Sequence, residues 1–223
     1  GQTAHTYLFE GGGAAALGSI QPQSLDQEED GTLALDKLAA LVKPDDFHFA
    51  RTKLLCLENT TWGKVLPLDY LKLVQSFAND YQLSLHLDGA RLFNASAATG
   101  VSAAQLARPF ESVSICLSKG LGAPVGSVLV ASTSFIKEAK RWRKMLGGGM
   151  RQSGMLAAAG IYVLENHIER LVEDHENARQ LGEGLAGISK LKVDTVQTNM
   201  VFVDLSRFDG AAVSRSLEAK GIK

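Results

Sequence analysis

The chain has 223 residues, with 23 Lys and Arg against 24 Asp and Glu for a formal net charge of -1, and 45% of its residues are hydrophobic. That length suits one large domain or one and a half, with enough apolar residues for a sizeable core. A charge balance this close to zero, with no block of five like charges, argues against nucleic-acid and anionic-membrane partners.

The first residues, GQTAHTYLFE, lack the basic-then-apolar form of a signal peptide. From Thr32 the segment TLALDKLAALVK sets Leu35, Leu38, Ala39 and Val42 on one helical face, and PDD ends it. KLLCL (53 to 57) is a continuous apolar run suited to a buried strand, followed by ENTTWGKVL as a loop. Pro67 opens a helix with Leu71, Val74, Ala78 and Tyr81 at helical spacing. LSLHL (83 to 87), SVSICL (112 to 117) and SVLVA (127 to 131) are further strands. Long helical patterns run from Thr133 to Leu185, broken at the glycines 147 to 149. NMVFVDL (199 to 205) reads as a strand, and Gly210 to Lys220 as a helix. Alternating helices and strands that are apolar on both faces predict an α/β fold: a mostly parallel sheet between helices, with its ligand site at the carboxyl ends of the strands.

No apolar stretch reaches the roughly 18 residues that cross a bilayer. Cys56 and Cys116 lie inside strand-like runs and read as small buried hydrophobes in a reducing compartment. A soluble, cytosolic-type protein is expected. The chain starts without Met and stops in mid-pattern at LEAKGIK, which predicts a piece of a longer protein.

Two of the predicted strands end on chemistry. Asp88 stands immediately after LSLHL and Lys119 after SICLS, so parallel neighbours would bring both to one edge. Burial penalises an ammonium, and an amine in such a setting can attack a carbonyl to form a Schiff base. Glycines 120, 122 and 126 leave room for a flat ligand against the backbone. A carboxylate near a heterocyclic nitrogen keeps that nitrogen protonated. Lysine on an aldehyde and aspartate on a ring nitrogen is the arrangement that pyridoxal phosphate demands. Two plainer readings stand beside it at this point: Asp88 as the cap of a helix following at Arg91, and the glycines as a tight connection or phosphate cradle. The cradle fits less well, because GLGAPVG is not GxGxxG and Pro124 interrupts the expected helix start.

Taken together, HLDGARLFNA, SICLSKGLGAPVGSVLV, RKMLGGGMRQSG and QTNMVF resemble the low-specificity threonine aldolases, including the allo-threonine type, from about Ala4 to the end. The resemblance implies the aspartate-aminotransferase-like fold type I. It also implies a pyridoxal-phosphate lyase that splits threonine, allo-threonine and related β-hydroxy-α-amino acids into glycine and an aldehyde. By match to the motifs, Lys119 would hold the cofactor through its amine and Asp88 would bind the pyridine nitrogen. Arg91 would sit near the phenolic oxygen and the substrate carboxylate, where a planar fork suits an oxygen pair. His5 matches the histidine that stacks on the ring and is the candidate for base work. Lys144 and Arg151 would reach the cofactor phosphate of a neighbouring subunit, making the working unit a homodimer or homotetramer.

The family often has ENTHN after the first strand; here the string is ENTTW, with Thr61 in the histidine's place facing the substrate and Trp62 beside it. A threonine is no base at neutral pH. Residues 1–188 would form the cofactor-binding large domain and 189–223 the start of a small one. The family's phosphate cup would lie upstream of Gly1, and its carboxylate-binding arginine downstream of Lys223. His48, His86, His167 and His175 form no metal-ligand pattern, and no metal is expected. Another pyridoxal lyase or aminotransferase on this fold, or an inactive truncated homologue, is the competing reading.

Overall fold

The computed structural model describes residues 1–222. Two short helices, α1 (His5–Leu8) and α2 (Gly13–Ala16), precede α3 (Leu35–Leu41). Then come β1 (Leu54–Glu58), α4 (Leu68–Asp80), β2 (Ser84–Asp88), α5 (Leu92–Thr99), α6 (Ala103–Ala107), β3 (Ser112–Cys116) and β4 (Ser127–Ala131). The helices α7 (Thr133–Met145), α8 (Gly154–Asn166) and α9 (Leu171–Ala186) follow. A two-residue pair, β5 (Lys192–Val193) and β6 (Val203–Asp204), and α10 (Gly210–Glu218) complete the described residues.

The main sheet has the order β1-β2-β3-β4, its first three strands parallel and β4 antiparallel to β3. Crossover helices allow the parallel pairs, whereas the short connection from Leu117 to Gly126 is compatible only with a strand that turns straight back. The register sets Glu58 opposite Asp88 and Asp88 opposite Ser114, so the carboxyl ends of β1, β2 and β3 lie side by side. The core forms where Leu55, Leu57, Leu85, Leu87 and Val113 of these strands meet Leu71, Val74 and Phe77 of α4 and Leu92 and Ala95 of α5. Each such side chain fully withdrawn from water contributes about 1.5–3 kcal/mol before chain entropy is charged against it.

Three expectations are corrected. The helix read from Thr32 begins at Leu35, because the Asp30 carboxylate takes both the backbone N–H and the hydroxyl of Thr32, and the Tyr70 hydroxyl holds both backbone groups of Leu33. Tyr81 caps α4 and is exposed, and Phe77 takes its place on the buried face. The strand expected over 199 to 205 shrinks to Val203–Asp204. Its leading residues are tied elsewhere: Gln197 Oε1 accepts from Val65 N–H at 2.9 Å, and the buried Thr198 hydroxyl donates to Gly63 O at 2.7 Å. That stitching brings the QTNM segment against the loop after β1.

Among the described residues no helix is long and apolar enough to cross a membrane, and no group of His, Cys, Asp and Glu could hold a metal ion. Both cysteines are free and half-buried, and burial pushes the Cys56 thiol up to about 11.

Candidate active site

The turn after β2 is built by its own sequence. Asp88 is buried, and its Oδ1 accepts the Ala90 N–H at 3.1 Å, an aspartate turn that leaves Oδ2 without such a donor among the described residues. Gly89 N–H donates to Ser114 O at 2.8 Å, and a Cβ on Gly89 would lie 2.9 Å from that same oxygen, so only glycine lets β2 and β3 approach here. Arg91 then takes the N-cap position of α5. Its Nε is buried and has no hydrogen-bond partner.

Lys119 lies on the neighbouring connection, just past the carboxyl end of β3, and is half-buried. It belongs to none of the ion pairs among the described residues. Its own carbonyl accepts Gly122 N–H at 2.8 Å, closing a turn whose last residue has φ +80°, a conformation that favours glycine. Leu121 and Ala123 of this connection are buried with Leu117, Val163 and Leu171 in a second small core. Asp88 and Lys119 therefore lie at the carboxyl-terminal side of two adjacent parallel strands, with Arg91 on the turn that leaves β2.

His5 arrives from outside the sheet. Its backbone N–H donates to Glu58 Oε2 at 2.7 Å, and its ring Nδ1 lies 2.9 Å from Glu10 Oε1, with the ring itself exposed. Glu58 was not singled out in the sequence. Burial holds its carboxyl above the ordinary carboxylate range, opposed by the His5 N–H and reinforced by Asp88 across the register. Asn59 and Thr60, the next residues, were also passed over; both are buried, and Asn59 Nδ2 and Thr60 Oγ1 have no partner. Unpaired buried polar atoms are costly, and two of them follow β1 directly at the carboxyl ends of the parallel strands. Nothing in the pattern ENTTW announces this, since polar residues after a strand ordinarily read as loop.

Thr61 is only 3% exposed, and its hydroxyl donates to Glu58 O at 2.8 Å. The outward-facing side chain of this loop is Trp62, whose Nε1 donates to Thr3 O at 3.2 Å and whose ring meets Phe202 edge-on at 5.8 Å. With Gln27, Glu28, Lys64 and Asp194 these residues border a cleft of about 400 Å³. Lys144, in the last turn of α7, and Arg151, in the loop before α8, are exposed. Of the remaining histidines, His48 pairs with Asp46 at 2.7 Å, and His86 bonds Ser112 Oγ at 2.7 Å with burial lowering its basicity.

The residues present fit pyridoxal phosphate. An unpaired amine stands on one strand end and a buried carboxylate with one open oxygen on the next. A buried guanidinium N–H beside them lacks an acceptor, which an anionic oxygen would supply.

A lysine at one strand end and an aspartate at the next suit pyridoxal phosphate, and the sheet with its helices is the type I fold of the enzymes that use it. More particularly, the beta-eliminating lyase family matches residues 1–207, and the chain belongs to that family. The low specificity L-threonine aldolase of Escherichia coli (strain K12) is 56% identical over 224 residues, which take in 100% of this chain and 66% of the relative. Low-specificity L-threonine aldolase 1 of Arabidopsis thaliana is 42% identical, again over 100% of this chain and 65% of its own length. The solved structure of Leishmania major threonine aldolase matches with a TM-score of 0.80 at 20% identity, over 97% of this chain and 64% of that one, a likeness of fold. The chain thus spans about two thirds of the length of the curated relatives named here.

Proposed function

We propose that the protein to which this chain belongs is a pyridoxal-phosphate aldolase that cleaves threonine, allo-threonine and related β-hydroxy-α-amino acids to glycine and an aldehyde. The observation that carries the reading is the unpaired Arg91 Nε beside Asp88 and Lys119 at adjoining strand ends. The names of the relatives support the substrate class.

When bound, the cofactor supplies a cationic ring that accepts the electron pair of the breaking Cα–Cβ bond. Asp88, through its open oxygen, keeps the ring nitrogen protonated. Lys119 would hold the cofactor through its amine. Arg91 would grip an anionic oxygen of cofactor or substrate and so orient the substrate. His5 is the base; Glu10 Oε1, 2.9 Å from its Nδ1, would pair with the ring once it has taken the β-hydroxyl proton. Thr61, whose hydroxyl is spent on the Glu58 carbonyl, contributes by shaping the substrate-side loop from which Trp62 projects.

The working unit is at least a homodimer, with Lys144 and Arg151 reaching the cofactor phosphate of the other subunit; their exposure in the single chain agrees with such a role. Residues 189–223 begin a second domain, and the two free cysteines fit a cytoplasmic location.

The test uses the full-length protein. Pyridoxal phosphate produces a visible absorbance that Lys119→Ala abolishes, and threonine is converted to glycine and acetaldehyde. A keto acid as the product, or absorbance unchanged in Lys119→Ala, overturns the assignment.

A further inference from the structure

On the reading that Lys119 carries the reactive amine, we propose that His167 is its positioning residue, acting through the peptide group that joins Leu121 to Gly122. His167 caps α8, its own N–H donating to Val163 O at 2.9 Å. Its ring reaches across to the lysine connection, where Nδ1 lies 2.6 Å from Leu121 O. A carbonyl oxygen only accepts, so Nδ1 carries the proton. The N–H of that same peptide group belongs to Gly122 and donates to the Lys119 carbonyl at 2.8 Å. The imidazole, one amide and the lysine backbone therefore form a single chain of hydrogen bonds. Bonds in series polarise one another, so the imidazole strengthens the contact that closes the turn on Lys119.

The surroundings leave this arrangement little slack. Leu121 is only 3% exposed and packs with Leu117, Val163 and Leu171. The Tyr162 ring meets the imidazole edge-on at 5.5 Å and fixes its plane. Behind Gly120, a Cβ would lie 3.0 Å from Leu171 Cδ2 and 3.2 Å from Asn94 Oδ1. The amide of Asn94 is in turn oriented by His175 Nε2 at 3.1 Å. The connection thus rests on α5 and α9 at Gly120, and His167 holds it at Leu121. It touches none of the reacting groups, and its effect reaches the chemistry only through where the lysine stands.

The experiment compares His167→Phe, which keeps a ring without the donor, with His167→Asn, which keeps an N–H near the position of Nδ1. Full-length proteins are mixed with pyridoxal phosphate, and the rate of adduct formation at Lys119 is followed by absorbance, then confirmed by borohydride trapping and peptide mass spectrometry. Amide exchange at Gly122 is read in the same proteins without cofactor. His167→Phe is expected to slow the adduct roughly tenfold and speed exchange at Gly122 by a similar factor, the loss of about one hydrogen bond, while melting stays cooperative. His167→Asn is expected to recover both to within about threefold. Native rates in the Phe variant, or an Asn variant as impaired as Phe, overturn the proposal. Should the Phe variant fail to fold, His167→Leu replaces it under the same criterion. An unsubstituted protein that forms no adduct at Lys119 overturns the pyridoxal reading, and this inference with it.

Discussion

Glu58 links the entering N-terminal segment to the sheet edge at the cost of holding a charge where burial disfavours it. Its carboxyl is raised above 4.5 first by burial and further by Asp88, so between 4.5 and its raised value the folded protein binds a proton that the unfolded chain has released. The sign follows: this group's contribution to stability is present below pH 4.5 and falls as pH rises through that window. Glu58→Gln keeps an oxygen for the His5 N–H and removes the charge. We expect its unfolding free energy to lack this decline when urea titrations are run from pH 4 to 8; an unchanged slope refutes the assignment. Lys119 and Asp88 stood out in the sequence because each follows an apolar run, whereas Arg91 was proposed only through the specific string around it. Glu58, Asn59 and Thr60 did not, since they are distinguished by a bond to another segment's backbone or by a single side-chain atom left unpaired, and neither leaves a mark in composition.

At the scale of the element, α6 shows how a short helix is held. Ser102 Oγ accepts the Gln105 N–H at 3.3 Å, and Gln105 Oε1 accepts the Ser102 N–H at 3.3 Å, a reciprocal capping box. Ser102→Ala is expected to lower stability by about 1 kcal/mol in denaturant unfolding, and Ser102→Thr to retain most of it. The pattern SAAQ announces this cap, yet five helical residues carry too little periodicity to be recognised without it. The four strands of the main sheet were readable to within a residue because each is a run of mostly apolar residues bounded by polar or turn residues, even though β4 is exposed. The tail strand failed for the opposite reason: Gln197 and Thr198 are committed to the loop after β1, a distant contact that local patterning does not encode.

Exposed large apolar side chains are spread along the described residues, and α7 and α8 carry a share of them close to two cations. Trp142 and Met145 of α7 are 54% and 67% exposed, and Met155 of α8 is 85% exposed, with Lys144 and Arg151 among them in sequence. Such exposure is unusual for a surface that meets only water, and it accords with the proposed subunit contact. Two cations facing a dianionic phosphate make charge-assisted bonds, so Lys144→Ala and Arg151→Ala in the full-length protein are each expected to weaken pyridoxal-phosphate affinity about tenfold or more. Equilibrium titration by absorbance checks this, and unchanged affinity in both variants removes the shared-site assignment. The sequence showed these two cations only through the motif around them; on a lone helix their charge reads as solvated.

The placement of β4 at the rim has a further effect. Being outermost among the described strands, it turns one row of amide groups away from its neighbour, and Val128, Leu129 and Val130 beside that row are exposed. A long, greasy margin of this type templates the addition of a foreign strand, and identical copies can propagate the pairing without closure. A polypeptide in which nothing shields that margin is therefore prone to fibril growth, which thioflavin fluorescence would register as a lag that shortens with concentration.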